Sequence, residues 1–247
     1  METTAYIALS RQGTLRREMS AIANNLANMN TTGYKSERLM FVEHLERSRS
    51  ADFIADQRLA FVRDVASFRD FEEGPIQQTG NPLDLAIHGD GYFAVRGEDG
   101  RDMYTRNGSF RLDNAGQLVT QSGLPVLSDG GAPITFAQED STITISGDGT
   151  VSTNNGELAK LRVVSFENQH LMKPTASSMF TTDQTPQTVD RPQVSQGSLE
   201  TSNVKAILEL TRMIEVNRSY ASAKSLIDKE DERIRKAVNE LAKTQNS

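Results

Sequence analysis

The stretch LRREMSAIANNLANMNTTG, residues 15–33, decides how the chain begins to fold. Apolar residues recur in it at alternating intervals of four and three, the spacing of a narrow helical seam, at Leu15, Met19, Ile22, Leu26 and Met29. The Asn and Thr side chains that follow compete for backbone hydrogen bonds, and Gly33 tolerates the left-handed conformation that ends many helices. The sequence therefore predicts a helix that stops in the turn 28–33.

A longer helix is predicted at the other end of the chain. Its apolar residues form a column with a spacing of seven, at Ala206, Met213, Tyr220, Ile227, Ile234 and Leu241. Ser198 or Ser202 could cap its start. A helix of about 45 residues is roughly 65–70 Å long, and its narrow seam requires a partner helix. The sequence leaves open whether that partner belongs to the same chain, as a helical hairpin, or to neighbouring copies.

Glycine and proline are concentrated in the middle of the chain. All seven Pro lie in 75–192, and 14 of the 17 Gly lie in 74–156. Because these residues break regular structure and separate short alternating segments about every ten residues, the middle is predicted as a β-sandwich or open barrel. The expected fold class is α+β, with the N- and C-terminal helices paired as a coiled-coil-like domain and a central all-β domain.

The predicted domain organisation follows from this uneven distribution. An N-terminal helix occupies 1–33, a partly extended connector 34–79, the central β domain 80–192 and the C-terminal helix 193–247. The apolar residues of the connector show no sustained period. Short helix or strand is therefore expected within it, without assignment of a single element.

The composition excludes several classes of function. The 247 residues include no Cys and three scattered His, which rules out disulfides, thiolate metal sites and a Cys nucleophile and disfavours a His-rich metal site. With 27 Lys and Arg against 33 Asp and Glu, the net charge is −6, so nucleic-acid binding is not expected. No apolar run is long enough to span a membrane, and residues 1–11 lack the basic start of an ordinary cleavable signal peptide.

One group of residues could in principle perform acid–base chemistry. Asp84 and His88 are four apart on an alternating segment and would share a face of a strand, and Asp90 follows closely. No nucleophile or metal-ligand set accompanies them, and Gly89-Asp90-Gly91 has the pattern of a turn. We therefore expect no catalytic residues, cofactor, metal or small-molecule substrate. A hydrolase or a non-polymeric β-domain binding module is the disfavoured alternative.

Three motifs resemble those of the bacterial flagellar rod and hook axial proteins. They are NNLANMNTTGYK at 24–35, GDGYF at 89–93 with YTRNGSF at 104–110, and QGSLETSNV at 196–204 followed by MIEVNRSY at 213–220. Their order and their spread over most of the chain make the match specific. Within that family, the segment 71–84 is most similar to proximal-rod subunits, and distal-rod and hook-type subunits are the alternatives.

The resemblance implies a structural subunit, not an enzyme, that polymerises helically into a tubular drive shaft, with its terminal helices around the export channel and its β domain outside. Its partners would be copies of itself, other flagellar rod subunits and the flagellar type III export apparatus. That apparatus would export it, without a cleaved signal peptide, to the periplasmic rod of the basal body. The expected assembly interface consists of Leu15, Met19, Ile22, Asn25, Leu26, Asn28, Asn30, Gly33, Ile207, Leu210, Ile214, Tyr220, Ile227 and Ile234.

Overall fold

The computed structural model describes residues 2–47, 58–175 and 178–244. Residues 48–57 of the predicted connector, 176–177 of the predicted β domain and the extreme ends of both predicted helices lie outside the described residues. Helices stand at the two ends of the chain, and mostly antiparallel strands lie between them, which confirms the α+β fold class. The described residues form two compact units. The helical unit is drawn from 1–27, 37–68 and 205–247, and the β unit from 28–36 and 69–204.

The helical unit contains two helices and two long strands. These are α1 (Glu2–Ala27), β1 (Glu37–Arg47), β2 (Arg58–Arg69) and α2 (Ala206–Thr244). Helix α1 ends at Ala27, directly before the turn rich in Asn and Thr, as the sequence predicts. Strands β1 and β2 pair with each other and lie in the region that showed no sustained period. Among the described residues, neither helix combines the length and apolarity needed to cross a membrane.

Helix α2 begins later than the two predicted caps. Ser198 starts strand β17 (Ser198–Glu200), which pairs antiparallel with β3 (Ile76–Gln78), so its backbone groups belong to a strand ladder. Ser202 Oγ accepts a hydrogen bond from Val204 N at 3.3 Å, ahead of the helix. The helix therefore spans 39 residues from Ala206, or about 58 Å.

Helices α1 and α2 run antiparallel along a narrow seam. Near one end Asn25 Nδ2 lies 3.4 Å from Glu209 Oε2, whereas Ala8, at the other end, lines a cavity with Ala223 and Leu226. The side chains of α2 on this seam are buried or half-buried at alternating intervals of three and four, at Met213, Val216, Tyr220, Ala223 and Ile227. Three members of the predicted column thus lie on the seam, and Val216 and Ala223 complete it.

The β unit contains fifteen short strands among its described residues. They are β3, β4 (Leu85–His88), β5 (Tyr92–Arg96), β6 (Asp102–Thr105), β7 (Phe110–Leu112), β8 (Leu118–Thr120), β9 (Ile143–Ile145), β10 (Thr150–Thr153), β11 (Gly156–Lys160), β12 (Val163–Ser165), β13 (Lys173–Thr175), β14 (Met179–Thr181), β15 (Gln187–Thr188), β16 (Gln193–Gln196) and β17. A six-stranded sheet has the order β13-β14-β6-β5-β12-β15, and a three-stranded sheet has the order β11-β10-β9. The pairs β16-β4, β17-β3 and β7-β8 are separate, and a short 3-10 helix (Gln169–Leu171) precedes β13.

Both faces of the six-stranded sheet carry buried apolar side chains. Successive residues of a strand point to opposite faces, so Phe93 and Val95 of β5 join one apolar cluster while Tyr92 and Ala94 join another. The aromatic ring of Phe93 packs edge-on against that of Phe110, with centroids 5.2 Å apart. Arg106, one of the charged residues described next, directly follows β6 of this sheet.

Candidate assembly site

One charged residue from each of the three sequence motifs lies inside the β unit. Lys35 follows the Asn-rich turn, Arg106 lies directly after β6, and Glu200 ends β17. Their side chains are 1%, 3% and 1% exposed. Charged residues are almost never fully buried unless they are paired, so their meeting in one place is a specific structural feature. We call these three residues the charge cluster.

Glu200 is the centre of the charge cluster. Its Oε1 lies 2.7 Å from Lys35 Nζ and accepts a hydrogen bond from Gly74 N at 2.9 Å. Its Oε2 lies 3.6 Å from Arg106 Nη1, and its backbone oxygen accepts from Gly33 N at 2.8 Å. Glu200 therefore connects its own strand to three segments that are distant in the sequence, at 33–35, 74 and 106.

The two cations of the charge cluster also bind backbone oxygens. Lys35 Nζ donates to Glu72 O at 2.6 Å, and Arg106 donates to Ile87 O at 3.1 Å and to Gly89 O. Burial lowers the pKa of Lys35 below its usual range, although the attraction of Glu200 opposes that shift. Because Lys35 Nζ and the two terminal nitrogens of Arg106 bind backbone carbonyls, the cluster holds these chain segments in register.

Two charged side-chain atoms of the cluster interact with their surroundings without hydrogen bonds. Within the part of the chain that the structure describes, Arg106 Nε and Glu200 Oε2 are buried and make no hydrogen bond. The guanidinium of Arg106 instead stacks over the ring of Tyr92, at 5.4 Å from its centroid, a favourable cation–π arrangement. Burial raises the pKa of the Tyr92 hydroxyl above its usual range, although the nearby charge of Arg106 opposes that shift.

Two glycines allow the backbone segments to approach each other here. Gly33 has φ +65°, and a Cβ on it would lie 2.5 Å from Asn107 N and 2.6 Å from the carbonyl carbon of Arg106. A Cβ on Gly74 would lie 2.1 Å from Thr201 O. Real Cβ atoms do not come this close to backbone, so both positions require glycine. Gly33 adopts the left-handed conformation that glycine tolerates at such a turn, and its closest neighbour is the backbone of the central motif.

The side chain of Asn203 binds backbone groups of two further segments next to the cluster. Its Oδ1 accepts a hydrogen bond from Ser36 N, and its Nδ2 donates to Asp70 O, both at 2.8 Å. Sequence reasoning missed Lys35, Arg106, Glu200 and Asn203 as structural residues. The available signal was that each lies inside a motif that also contains a glycine or a turn.

Asn25 has an equivalent role in the helical unit. Its Oδ1 accepts from Glu37 N and its Nδ2 donates to Glu37 O, both at 2.8 Å, so the amide binds both backbone groups where β1 begins. The side chain is buried. Asn25 therefore fixes the direction in which β1 leaves the helix within this unit.

Replacing Asn25 by Ala should lower the free energy of unfolding by about 1–3 kcal/mol, because the backbone N–H and C=O of Glu37 lose buried partners. Urea unfolding of the full chain measures this difference. The control is Asn30→Ala, at an exposed position, for which we expect a change within about 0.5 kcal/mol. Equal effects of the two substitutions would contradict the role given to Asn25.

The residues of the expected assembly interface differ widely in exposure. Ile22, Asn25 and Gly33 are buried; Asn30, Ile207, Leu210, Ile214 and Ile234 are exposed; and the half-buried residues are Leu15, Met19, Leu26, Asn28, Tyr220 and Ile227. The exposed members include three large apolar residues near the start of α2: Ile207 (80% exposed), Leu210 (48%) and Ile214 (54%). Contiguous exposed apolar surface of this kind is typical of protein–protein contacts.

The residues considered for acid–base chemistry have separate partners. Asp84 is buried and accepts hydrogen bonds from Thr79 and Asn81. His88 is exposed, with its Nδ1 3.4 Å from Glu73 Oε1, and Asp90 accepts from Gln169. Among the described residues, no group of three or more His, Asp or Glu is arranged to hold a metal ion.

Three protein-family models match the chain. The model described as "Flagella basal body rod protein" matches 6–35. The model described as "Flagellar hook protein FlgE/F/G D1 domain" matches 86–153, and "Flagellar basal body rod FlgEFG protein C-terminal" matches 195–240. Each matched range contributes one residue to the charge cluster.

Several curated proteins are similar to the chain over nearly its whole length. The flagellar basal-body rod protein FlgF of Caulobacter vibrioides is 39% identical over 98% of this chain and 99% of its own. FlgF of Rhizobium meliloti is 32% identical over 98% of both chains. The flagellar basal-body rod protein FlgG of Agrobacterium fabrum is 34% identical over 92% of this chain and 94% of its own.

Proposed function

The chain belongs to the flagellar basal-body rod protein family and is a structural subunit of the rod, and we propose that it polymerises helically with copies of itself and with other rod subunits. The resulting tube would transmit torque and enclose the export channel. A structural role agrees with relatives that are named as rod proteins.

The exposed apolar face at the start of α2 supports this proposal. Ile207, Leu210 and Ile214 follow each other at intervals of three and four and are about half exposed or more. Full burial of one such side chain contributes about 1.5–3 kcal/mol, so covering all three on assembly is a substantial driving force. We propose that the other exposed residues of the expected interface also contact neighbouring subunits. We propose that the buried and half-buried residues hold the segments that carry this face in position.

We also propose the finer features that the resemblance implies for each unit. The alternating intervals along α2 support a coiled-coil-like pairing of α1 and α2, and apolar clusters on both faces of the six-stranded sheet support a sandwich-like β unit. The β unit consists of residues 28–36 and 69–204, and we propose that one charged residue from each of the three motifs holds it together.

We propose a proximal-rod position for the subunit. The 39% identity to a FlgF protein over nearly the full length of both chains supports this assignment. A distal-rod position is the second candidate, because a FlgG protein is 34% identical over 92% of the chain. We further propose export by the flagellar type III apparatus, without a cleaved signal peptide, into the periplasm. A chain without Cys is suited to that oxidising compartment.

Replacing Ile214 by Asp tests the proposed assembly. The position is half exposed in the free chain, so we expect normal folding with a stability change within about 1 kcal/mol. An unpaired carboxylate in a packed apolar contact costs several kcal/mol, so the variant should be absent from isolated basal bodies and the cells should not swim. Immunoblotting of basal bodies and a swimming assay are the measurements.

Ser225→Asp is the matched control for this variant. It places the same charge at an exposed position of α2 away from the stretch 207–214, and we expect incorporation and swimming to be retained. Normal incorporation of Ile214→Asp would contradict the proposed assembly face.

A further inference from the structure

Helix α2 carries one continuous exposed stripe over most of its length. Its members follow each other at alternating intervals of three and four, so they share one side of the helix. We call this set the outer stripe: Ile207, Leu210, Ile214, Asn217, Ala221, Lys224, Asp228, Asp231, Arg235 and Val238, all exposed. The stripe is apolar at its start, small and polar in the middle, charged from Lys224 to Arg235, and apolar again at Val238.

A second exposed apolar patch lies near the end of α2. The seam column that contacts α1 at Met213, Tyr220 and Ile227 is half-buried there, but the next member, Ile234, is 46% exposed. Val238 lies one turn further and is 58% exposed. We call Ile234 and Val238 the end patch, and Ile207, Leu210 and Ile214 the start patch.

The two patches cannot cover each other within one chain. Ile207 and Ile234 are 27 residues apart on one continuous helix, which corresponds to about 40 Å. The start patch presents three aliphatic side chains at intervals of three and four, and the end patch presents two at an interval of four, Ile234 from the seam column and Val238 from the outer stripe. A second copy of the chain therefore offers each patch an apolar surface of matching spacing.

The charges near the two patches are complementary. Asp231 and Glu232 precede the end patch, and both remain more than half exposed although they also pair with Arg235 and Lys236. Lys205 precedes the start patch and is exposed, and the start of a helix carries a partial positive charge. With two parallel copies of α2 offset by 27 residues, Glu232 of one copy comes level with Lys205 of the other.

We propose that the end patch of one copy packs on the start patch of the next copy, with the two α2 helices parallel and offset by about 27 residues. The proposal rests on the proposed function and adds the pairing of surfaces. Because the two patches differ, the contact is head-to-tail and leaves a further patch open at each end. Parallel helices that are shifted along their own axis cannot lead back to the first copy, so these contacts generate an open helical filament and not a closed ring, whereas contact between two start patches would close a dimer.

Cysteine cross-linking tests this pairing, because the chain contains no Cys. Full-length Ile207→Cys and Ile234→Cys chains, each with a different tag, are expressed together in cells that lack the native gene. Isolated basal bodies are then oxidised and analysed on a non-reducing gel. A disulfide requires Cα atoms closer than about 7 Å, so the proposal predicts a mixed dimer at least tenfold above the amount that either variant forms alone.

Leu208→Cys, combined with Ile234→Cys, is the matched control. Leu208 lies on the same turn as Ile207 and is also exposed, but points about 100° away around the helix, so it should give little mixed dimer. Dimers of Ile207→Cys alone, equal cross-linking of Leu208→Cys, or incorporated chains that form no mixed dimer would each overturn the pairing and leave the proposed function intact. Absence of the wild-type chain from basal bodies would instead refute the proposed function.

Discussion

Replacing Glu200 by Gln should lower the free energy of unfolding by about 3–5 kcal/mol, because it leaves two buried cations without their counter-charge. The carboxylate of Glu200 is 2.7 Å from Lys35 Nζ and 3.6 Å from Arg106 Nη1, and all three side chains are at least 97% buried. Gln keeps the shape of the side chain, so the loss reports the missing charge. Urea unfolding of the full chain measures it.

Two controls isolate the buried charge. Glu98→Gln removes the same charge at an exposed position and should change stability by no more than about 0.5 kcal/mol. The double variant Glu200→Gln/Lys35→Met removes one of the stranded cations and should be more stable than Glu200→Gln alone. A loss below about 1 kcal/mol for Glu200→Gln would show that the charge cluster does not hold the β unit together.

Replacing Gly33 by Ala should be nearly as damaging. An L-residue in the left-handed conformation costs roughly 1–2 kcal/mol, and the new Cβ would lie 2.5 Å from the backbone nitrogen of Asn107. Since that contact is with backbone, relief requires movement of the whole segment. We expect a total loss of about 3 kcal/mol or more, measured by thermal and urea unfolding.

Gly80→Ala separates the two causes. Gly80 also has positive φ, +76°, but a Cβ on it would have no heavy atom within 4 Å. It should therefore show the conformational cost alone, roughly 1–2 kcal/mol. If the two variants lose the same stability, the close approach of Gly33 to the central motif has no energetic consequence.

Local features of the fold could be predicted from the sequence. The alternation of Leu15, Met19, Ile22 and Leu26 predicts α1, and the Asn and Thr residues that follow correctly mark its end at Ala27. The spacing of seven from Met213 predicts the side of α2 that lies on the α1 seam. These features depend on residues within one or two turns of each other, so a pattern in the sequence reports them directly.

Long-range features could not be predicted. Lys35 and Glu200 are 165 residues apart, and nothing in the local sequence of either indicates that they form a buried ion pair. The sequence cannot exclude Ser198 as a helix cap for the same reason, because its pairing with Gln78 in a strand ladder is a long-range contact. A lysine in a polar turn has the same appearance in sequence whether water or a distant glutamate is its partner.

The residues of the expected assembly interface also differ in how far the sequence alone could place them. Sequence spacing identified apolar positions on both helices, but it could not distinguish those that pack within the chain, such as Ile22, from those that remain exposed, such as Ile207 and Ile214. That distinction depends on which side of α2 lies against α1. The exposed subset is therefore the part of the expected interface available to a neighbouring subunit.

An electron-microscopy map of intact basal bodies with side chains resolved is the most direct test of this chain as an assembled rod subunit. We expect the chain within the rod, with Ile207, Leu210 and Ile214 of α2 buried against a neighbouring subunit. We also expect the ion pair of Lys35 and Glu200 to be enclosed inside one protomer. A map in which the chain occupies the rod while these three side chains face solvent or the open channel would contradict it.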